Sequence, residues 1–323
     1  MTILHDPVFQ PGMPRAPVAM QRRFEHGSLT WLDFLYPGIE QVDYLRSQFP
    51  FHQLHLDDLV SRLQRPKIDD SPEDEYSFLV LHFPVFNSQT RLPIASEVDV
   101  FIGRDYLITG HDGRLKPLAR LVHNAGSPQI QAQLMDRGSG FLLYKILEAL
   151  INACNPMLYQ IDAKLERLDE QVFTRNVRDI VKELSFVRRD IISMRRILKP
   201  NIPVIRLLAA RERPFLRLDE DAYFGDLTDG MAKIWDMLEE QKEIVEGLDA
   251  TLSSLTSHRI NTEMKIFTLI TVIGMPMTII GGVYGMNVPL PWQEHPASLL
   301  MALTLMFTVP LAMYVYFRWK GWV

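Results

Sequence analysis

The sequence predicts an α+β membrane protein in which an N-terminal cytoplasmic α/β domain is followed by a long helical stalk and two C-terminal transmembrane helices. Two uncharged stretches, residues 266–293 and 298–317, predict the membrane part, because a helix needs about 20 apolar residues to cross a bilayer. Helical periodicity before them predicts the stalk, and strand-like segments earlier predict the α/β domain. The expected organisation is a flexible N-terminus (1–27), the α/β domain (28–138), a cytoplasmic helical hairpin (139–218), the stalk helix (219–265), a first transmembrane helix (266–286), an external loop (287–297), a second transmembrane helix (298–317) and a cytoplasmic tail (318–323).

The α/β domain is predicted from short apolar runs bounded by turn residues. Strands are expected at residues 29–34, 78–83, 98–102 and 106–109, and a helix is expected at 54–63. The last two strands flank Gly103-Arg104-Asp105, a sequence typical of a hairpin turn. The first residues of the chain are rich in proline and are expected to be loose.

The stalk is predicted from apolar residues at three- and four-residue spacing. Residues 141–173 and 176–198 each show this spacing, and Lys199-Pro200 ends the second helix. A third helix is expected to run without a break from Asp219 to Met286, about 100 Å at 1.5 Å per residue. Its heptad seam comprises Leu227, Met231, Ile234, Leu238, Gln241, Val245, Leu248, Leu252 and Leu255. This seam suits packing on the two preceding helices or on copies of itself, and the sequence does not choose between them.

Composition excludes several classes of function. The formal net charge of −5 argues against a nucleic acid partner. Cys154 is the only cysteine, so an intrachain disulfide and a cysteine-rich metal site are both excluded. The sequence has no phosphate-binding glycine loop, zinc motif or nucleophile with a recognisable base, and we therefore do not expect an enzyme.

Charges next to the two apolar stretches predict the topology. Arg259 and Lys265 precede the first stretch, and Arg318 and Lys320 follow the second. The connecting residues 288–297 contain no lysine or arginine. Because positive residues remain on the cytoplasmic side, both termini are expected in the cytoplasm and the loop outside.

One face of the first transmembrane helix carries small, polar and methionine side chains in the register of the heptad seam. They are Asn261, Met264, Thr268, Thr271, Met275, Thr278, Gly282 and Gly285. Threonine and glycine on such a face can line a water-filled pathway, or they can mediate ordinary contacts between helices in a membrane. The stripe alone does not decide between a pore and helix packing.

The tetrad Tyr284-Gly285-Met286-Asn287 stands where this helix is expected to leave the membrane. The Asn287 side chain offers an amide oxygen, and several copies around an axis would form a neutral ring of oxygens. Mg²⁺ loses its hydration water reluctantly, so such a ring suits a hydrated magnesium ion. The tetrad in this position resembles the signature of the CorA family of divalent-cation channels, whose known members chiefly carry magnesium. The resemblance extends over residues 223–323 and, less specifically, to Arg65-Pro66-Lys67 and Tyr76-Ser77-Phe78.

The resemblance implies a homopentamer in a bacterial-type inner membrane that passes Mg²⁺, and with it cobalt or nickel, down the electrochemical gradient. Gly285, Met286 and Asn287 would form the selectivity filter. The pore would be lined by Asn261, Met264, Phe267, Thr268, Thr271, Met275, Thr278 and Gly282, with Phe267 and the two methionines as constrictions. The family also senses cytoplasmic Mg²⁺ at carboxylates between subunits, a role that matches Asp226 with Glu75 or Asp74 as its partner. Mg²⁺ would thus be both transported ion and regulatory ligand, and the remaining partners would be membrane lipids.

Two alternative functions remain open at this stage. A zinc transporter of the same architecture is the first, although the intact tetrad argues against it. The second is a membrane-anchored coiled-coil sensor without a pore, which would need the heptad seam but not the polar stripe.

Overall fold

The computed structural model describes residues 20–61, 64–211, 213, 215–216, 220–286 and 295–322. The chain divides into two compact units, Met1–Leu248 and Asp249–Val323. The strands are β1 (Met20–His26), β2 (Leu29–Leu35), β3 (Lys67–Ser71), β4 (Tyr76–Asn87), β5 (Leu92–Gly103) and β6 (Tyr106–His111). The helices are α1 (Ile39–Gln48), α2 (Gln53–Val60), α3 (Lys116–Asn124), α4 (Pro128–Met135), α5 (Ser139–Asn152), α6 (Asn155–Gln171), α7 (Val177–Leu198), α8 (Asn201–Ala210), α9 (Glu220–Tyr284) and α10 (Ser298–Trp319).

The first unit is built on a six-stranded sheet in the order β1-β2-β6-β5-β4-β3. β2 and β6 run parallel, and the other neighbouring strands are antiparallel. Buried side chains join the parallel pair: Trp31 Nε1 donates to Thr109 Oγ1 (3.1 Å), which in turn donates to Asp33 Oδ1 (2.7 Å). These bonds satisfy polar groups that would be costly to bury alone.

Helices cover both faces of the sheet. α1 and α2 pack on one face through Val42, Leu45, Leu56 and Leu59, which belong to the same buried cluster as strand residues such as Phe101. On the other side, α5, α7 and α8 contact the strands. The result is an α/β/α sandwich, in agreement with the α/β domain expected from the sequence.

All four predicted strands are present, and the structure adds two. β1 lies within the segment that was expected to be loose, and it pairs with β2 through a two-residue turn that begins at Gly27, where φ is +58°. β3 has the sequence Lys-Ile-Asp-Asp-Ser. Both added strands are polar edge strands, because they pair with the sheet along one side only. Their sequences therefore lack the apolar run by which a buried strand is recognised.

The helix expected over residues 141–173 is two helices, α5 and α6. Ala153 and Cys154 separate them, and Pro156 stands in the first turn of α6. Proline is accepted there because the first turn of a helix has no intrahelical partner for its N–H groups, whereas inside a helix it breaks the hydrogen-bond ladder. α7 ends at Leu198, as expected from Lys199-Pro200.

The long uninterrupted helix predicted from the sequence is present as α9, which has 65 residues. Its seam residues from Leu227 to Leu248 are buried. Gln241 Nε2 donates to the carbonyl of Leu158 (3.1 Å) and to Asp162 Oδ1 (2.7 Å), both on α6. Around Gln241 the seam therefore packs on a preceding helix. The sequence alone did not decide between this packing and packing on copies of the seam. The expected starting residue, Asp219, lies outside the described residues, and the helix ends at Tyr284.

The second unit contains the C-terminal part of α9 and the helix α10. Both helices are long and apolar enough to cross a membrane. In the most apolar window only 6% of α9 and 11% of α10 is buried. A core helix of a soluble protein would be mostly buried, so the exposure of these apolar surfaces favours two membrane spans.

A candidate ion pathway and an acidic site

α9 and α10 pack on each other along one face of each helix. The partly buried residues of α9 are Leu269, Val272, Ile273, Gly274, Pro276, Met277 and Ile280. On α10 the buried or partly buried residues share one face: Ser298, Ala302, Met306, Val309, Pro310, Met313 and Phe317. Met306 Cε lies 3.2 Å from the position that a Cβ on Gly281 would take. A larger residue at 281 would therefore have to displace α10 or its methionine.

The polar stripe lies on nearly the opposite side of α9 from this contact, as the 3.6-residue turn of a helix requires. All its members are exposed: Asn261, Met264, Thr268, Thr271, Met275, Thr278, Gly282 and Gly285. Phe267 is 65% exposed and lies one position off the stripe. The structure thus brings the residues of the predicted pathway to one face that the chain itself leaves uncovered.

Three threonine hydroxyls of the stripe are bonded to the helix backbone. Thr268 Oγ1 donates to the carbonyl of Met264 (2.8 Å), Thr271 Oγ1 to that of Phe267 (2.9 Å), and Thr278 Oγ1 to that of Gly274 (3.4 Å). A hydroxyl has one proton and two acceptor lone pairs, so each oxygen is left as an acceptor toward the outside. The water shell of a cation directs its O–H groups outward. These oxygens therefore have the polarity that a hydrated cation requires.

α9 ends next to the tetrad. The Gly285 N–H still donates to the carbonyl of Gly281 (2.9 Å), whereas the Met286 N–H donates to that of Val283 (3.3 Å). Such a tightened last turn is common where a helix terminates. Asn287, the expected selectivity residue, lies outside the described residues.

Asp226 is exposed on α9 and contacts a tyrosine of α5. Tyr144 Oη lies 3.1 Å from Asp226 Oδ2 and 2.8 Å from Glu148 Oε1. Burial and hydrogen bonds to these two carboxylates raise the pKa of Tyr144, which keeps its proton and donates it. The single hydroxyl proton of Tyr144 can be donated to only one of the two carboxylates at a time. The other carboxylate therefore keeps an oxygen that can accept a hydrogen bond from water or bind a cation. Lys145 Nζ, 2.8 Å from Glu148 Oε2, offsets part of the negative charge.

The expected partners of Asp226 lie in the turn between β3 and β4. Asp74 Oδ2 accepts a hydrogen bond from Ser71 Oγ (2.9 Å), and Glu75 Oε2 lies 3.7 Å from Arg104 NH2. Glu75 has a φ of +51°, a left-handed conformation that is uncommon outside glycine. Among the described residues no contact joins either acid to Asp226, and no group of three or more His, Cys, Asp or Glu side chains gathers as a metal site. Mg²⁺ keeps several waters and needs only one or two carboxylates, so a regulatory role of Asp226 stays a prediction.

Sequence reasoning missed Tyr144 and Glu148 as neighbours of Asp226. Tyr144 stands within the apolar run of α5, Phe-Leu-Leu-Tyr, and shows no sign there of a polar role. Only the packing of α5 beside α9 brings its hydroxyl to the carboxylate.

Residues 26–319 match the family model described as CorA-like Mg²⁺ transporter protein. The chain is 28% identical to the putative metal ion transporter YfjQ of Bacillus subtilis (90% of this chain, 89% of the relative). It is 27% identical to the cobalt/magnesium transport protein CorA of Thermotoga maritima (91% and 83%). The solved CorA magnesium transporter from Methanocaldococcus jannaschii has the same fold, with a TM-score of 0.78 at 23% identity over 93% of each chain. A zinc transport protein of Yersinia pseudotuberculosis, ZntB, is also similar, at 19% identity (79% and 75%).

Proposed function

Because the chain belongs to the CorA-like Mg²⁺ transporter protein family, we propose that it is a magnesium channel driven by the membrane potential, with the exposed polar stripe of α9 as its pore lining. The uncovered stripe is the observation that carries this proposal. Apolar lipid offers no partners to threonine, asparagine and backbone oxygens, whereas a water-filled axis between several copies does. The pore then requires self-association in the membrane, and we propose a homopentamer in a bacterial-type inner membrane with both termini in the cytoplasm.

The pathway runs along α9 from Asn261 to the Gly285-Met286-Asn287 filter. Oxygens of Thr268, Thr271 and Thr278 accept hydrogen bonds from the water shell, so the ion passes without losing its inner waters. Phe267, Met264 and Met275 form apolar constrictions that close the path by excluding water. Asn287 presents its amide oxygen to the hydrated ion at the outer mouth.

The chemistry of this face favours magnesium over zinc, the alternative suggested by the ZntB relative. Zinc in proteins is bound chiefly by cysteine and histidine, and residues 261–293 contain neither. Oxygen acceptors that leave the water shell in place suit Mg²⁺, and they also leave room for Co²⁺ or Ni²⁺ as hydrated ions.

Asn287→Ala should lower Mg²⁺ entry at least about tenfold, because the oxygens at the filter are lost. The measurement is dye-reported Mg²⁺ entry into proteoliposomes at a set K⁺ diffusion potential. Ile270→Ala, 65% exposed and on another face of the helix, is the control and should conduct like the wild type. No entry with folded wild type, or zinc entry driven by a proton gradient in its place, would contradict the magnesium channel.

We propose that Mg²⁺ inside the cell closes the channel by binding at Asp226, completed by Asp74 or Glu75 of a neighbouring subunit. Asp226→Lys should raise the internal Mg²⁺ concentration for half-inhibition about tenfold, within the usual range of coupling between sites. Asp229→Lys, an equal charge change one turn along the same helix, is the matched control. Equal shifts in both variants would show a general electrostatic effect and would remove Asp226 from the sensing role.

A further inference from the structure

A cleft on the first unit lies between the end of β4 and the helices α3 and α5. Its volume is about 270 Å³. The floor is formed by Phe83, Leu115 and Leu150, each at most 2% exposed. Arg114, Lys116 and Arg120 stand at its rim. An apolar floor with a few polar groups at the edge is the usual construction of a small-molecule site.

The charges at the rim have one sign. Arg114 is paired with Asp112. Lys116 and Arg120 are exposed one turn apart on α3, and among the described residues neither has an ion pair. The described lining of the cleft includes no acidic side chain. Two cations at i and i+4 without partners are positioned to hold one anion together.

An aromatic side chain at the mouth adds an apolar contact surface. Phe86, near the end of β4, is 57% exposed, whereas Phe78 and Phe83 on the same strand are at most 1% exposed. Phe86 lines the cleft together with Phe83 and therefore enlarges the apolar surface that a ligand could cover.

We propose that this cleft binds a small organic anion, with its apolar body on Phe83, Leu115 and Leu150 and its carboxylate held by Lys116 and Arg120. The volume is below the range of about 300–1,000 Å³ that holds drug-sized ligands. A molecule with one ring and a short acidic chain therefore fits better than a nucleotide.

The test uses three probes with the same body: 4-phenylbutyrate, 4-phenylbutylamine and 4-phenylbutanol. Their binding to the full chain in nanodiscs is measured by isothermal titration calorimetry, with empty nanodiscs subtracted. We expect the carboxylate to bind at least about tenfold more tightly than the amine or the alcohol, since hydrogen bonds to a charged group are the strongest that the rim can make.

The variant Lys116→Glu with Arg120→Glu should reverse this order, so that the amine binds more tightly than the carboxylate. Arg178→Glu with Lys182→Glu on α7 is the matched control: two exposed cations, also four residues apart and outside the cleft, whose reversal should leave binding unchanged. Equal binding of all three probes, no binding of phenylbutyrate, or the same loss in the α7 variant would each overturn the proposal. Phe86→Ser, which changes no charge, should weaken all three probes alike.

Discussion

Replacing Thr271 with leucine is expected to reduce Mg²⁺ entry at least about tenfold, because an apolar ring in a narrow path repels water and so closes it. The Thr271 hydroxyl donates to the Phe267 carbonyl (2.9 Å) and keeps its acceptor lone pairs on the exposed face. Leucine is larger and apolar and has a higher helix propensity, so the change replaces the oxygen with apolar bulk without weakening α9. The measurement is the initial rate of dye-reported entry, with oligomer size checked by light scattering.

Two further variants distinguish an effect on the pore lining from a general effect of substitution on the helix. Thr271→Ser retains the hydroxyl and should conduct close to the wild-type rate. Ile270→Leu changes the neighbouring side chain, which is 65% exposed and off the stripe, and should also conduct normally. Normal entry through a correctly assembled Thr271→Leu protein would contradict the assignment of Thr271 to the pore lining. Absence of entry with the wild type as well would instead favour the sensor without a pore, because that function needs the heptad seam but not the stripe.

Replacing Arg213 with methionine is expected to destabilise the edge of the sheet at β3 and β4 by about 3–5 kcal/mol, the usual cost of leaving a buried charge without its partner. The Arg213 side chain is 3% exposed, and its Nε lies 2.9 Å from Asp70 Oδ1 on β3. Its NH1 also donates to the carbonyls of Leu208 and Arg211. Hydrogen exchange of the β3 and β4 amides in the full chain measures this local free energy of opening.

Arg211 provides the control for this prediction, because it contacts the same carboxylate at 3.3 Å but is 63% exposed. Arg211→Met should cost less than about 1 kcal/mol, as exposed ion pairs do. Adding Asp70→Asn to Arg213→Met should recover part of the loss, because it removes a carboxylate charge that only the exposed Arg211 would still neutralise. Equal effects of the two arginine variants would contradict the assignment of Arg213 as the buried partner.

The same pair predicts a pH dependence. Burial opposes ionisation of Asp70, but hydrogen bonds from Ser77 and Arg213 outweigh it and hold the pKa below its ordinary value. A lowered carboxyl pKa stabilises the folded state fully above the unfolded value of about 3.9, and this stabilisation is lost as pH falls through the folded pKa. The difference in β3 protection between wild type and Arg213→Met should therefore be constant near neutral pH and shrink below about pH 4.

The parts of the fold that could be predicted are those with a strong apolar pattern. The strand at 78–83 and the long helix α9 follow from buried runs and from a seam of three- and four-residue steps. The pairing of β2 with β6 could not be inferred, because it joins Trp31 to Thr109 across 78 residues. Local patterns carry no information about such distant partners.

The candidate pathway was accessible to sequence reasoning because it continues a helical register. Thr271, Met275 and Thr278 could be placed on one face by counting alone. The neighbours of Asp226 could not, since Tyr144 is 82 residues away and stands in an apolar run. The strand order of the sheet and the contact between α5 and α9 belong to the tertiary structure, so they are seen only in the folded unit.

The parallel pairing of β2 with β6 sets an order of events during synthesis. β2 is made early, yet its inner edge gains a partner only once residues 106–111 have left the ribosome. Until then an apolar strand carrying Trp31 and Phe34 has an open edge, which is a state prone to aggregation. Chaperones are therefore expected to bind the nascent chain chiefly during the time between the synthesis of β2 and the synthesis of β6.

The first unit is also complete at residue 248, before any residue of the membrane stretch that starts at 266 has been made. Chains truncated at residue 248 and released from the ribosome should accordingly resist protease, whereas released chains that end before β6 should be cleaved.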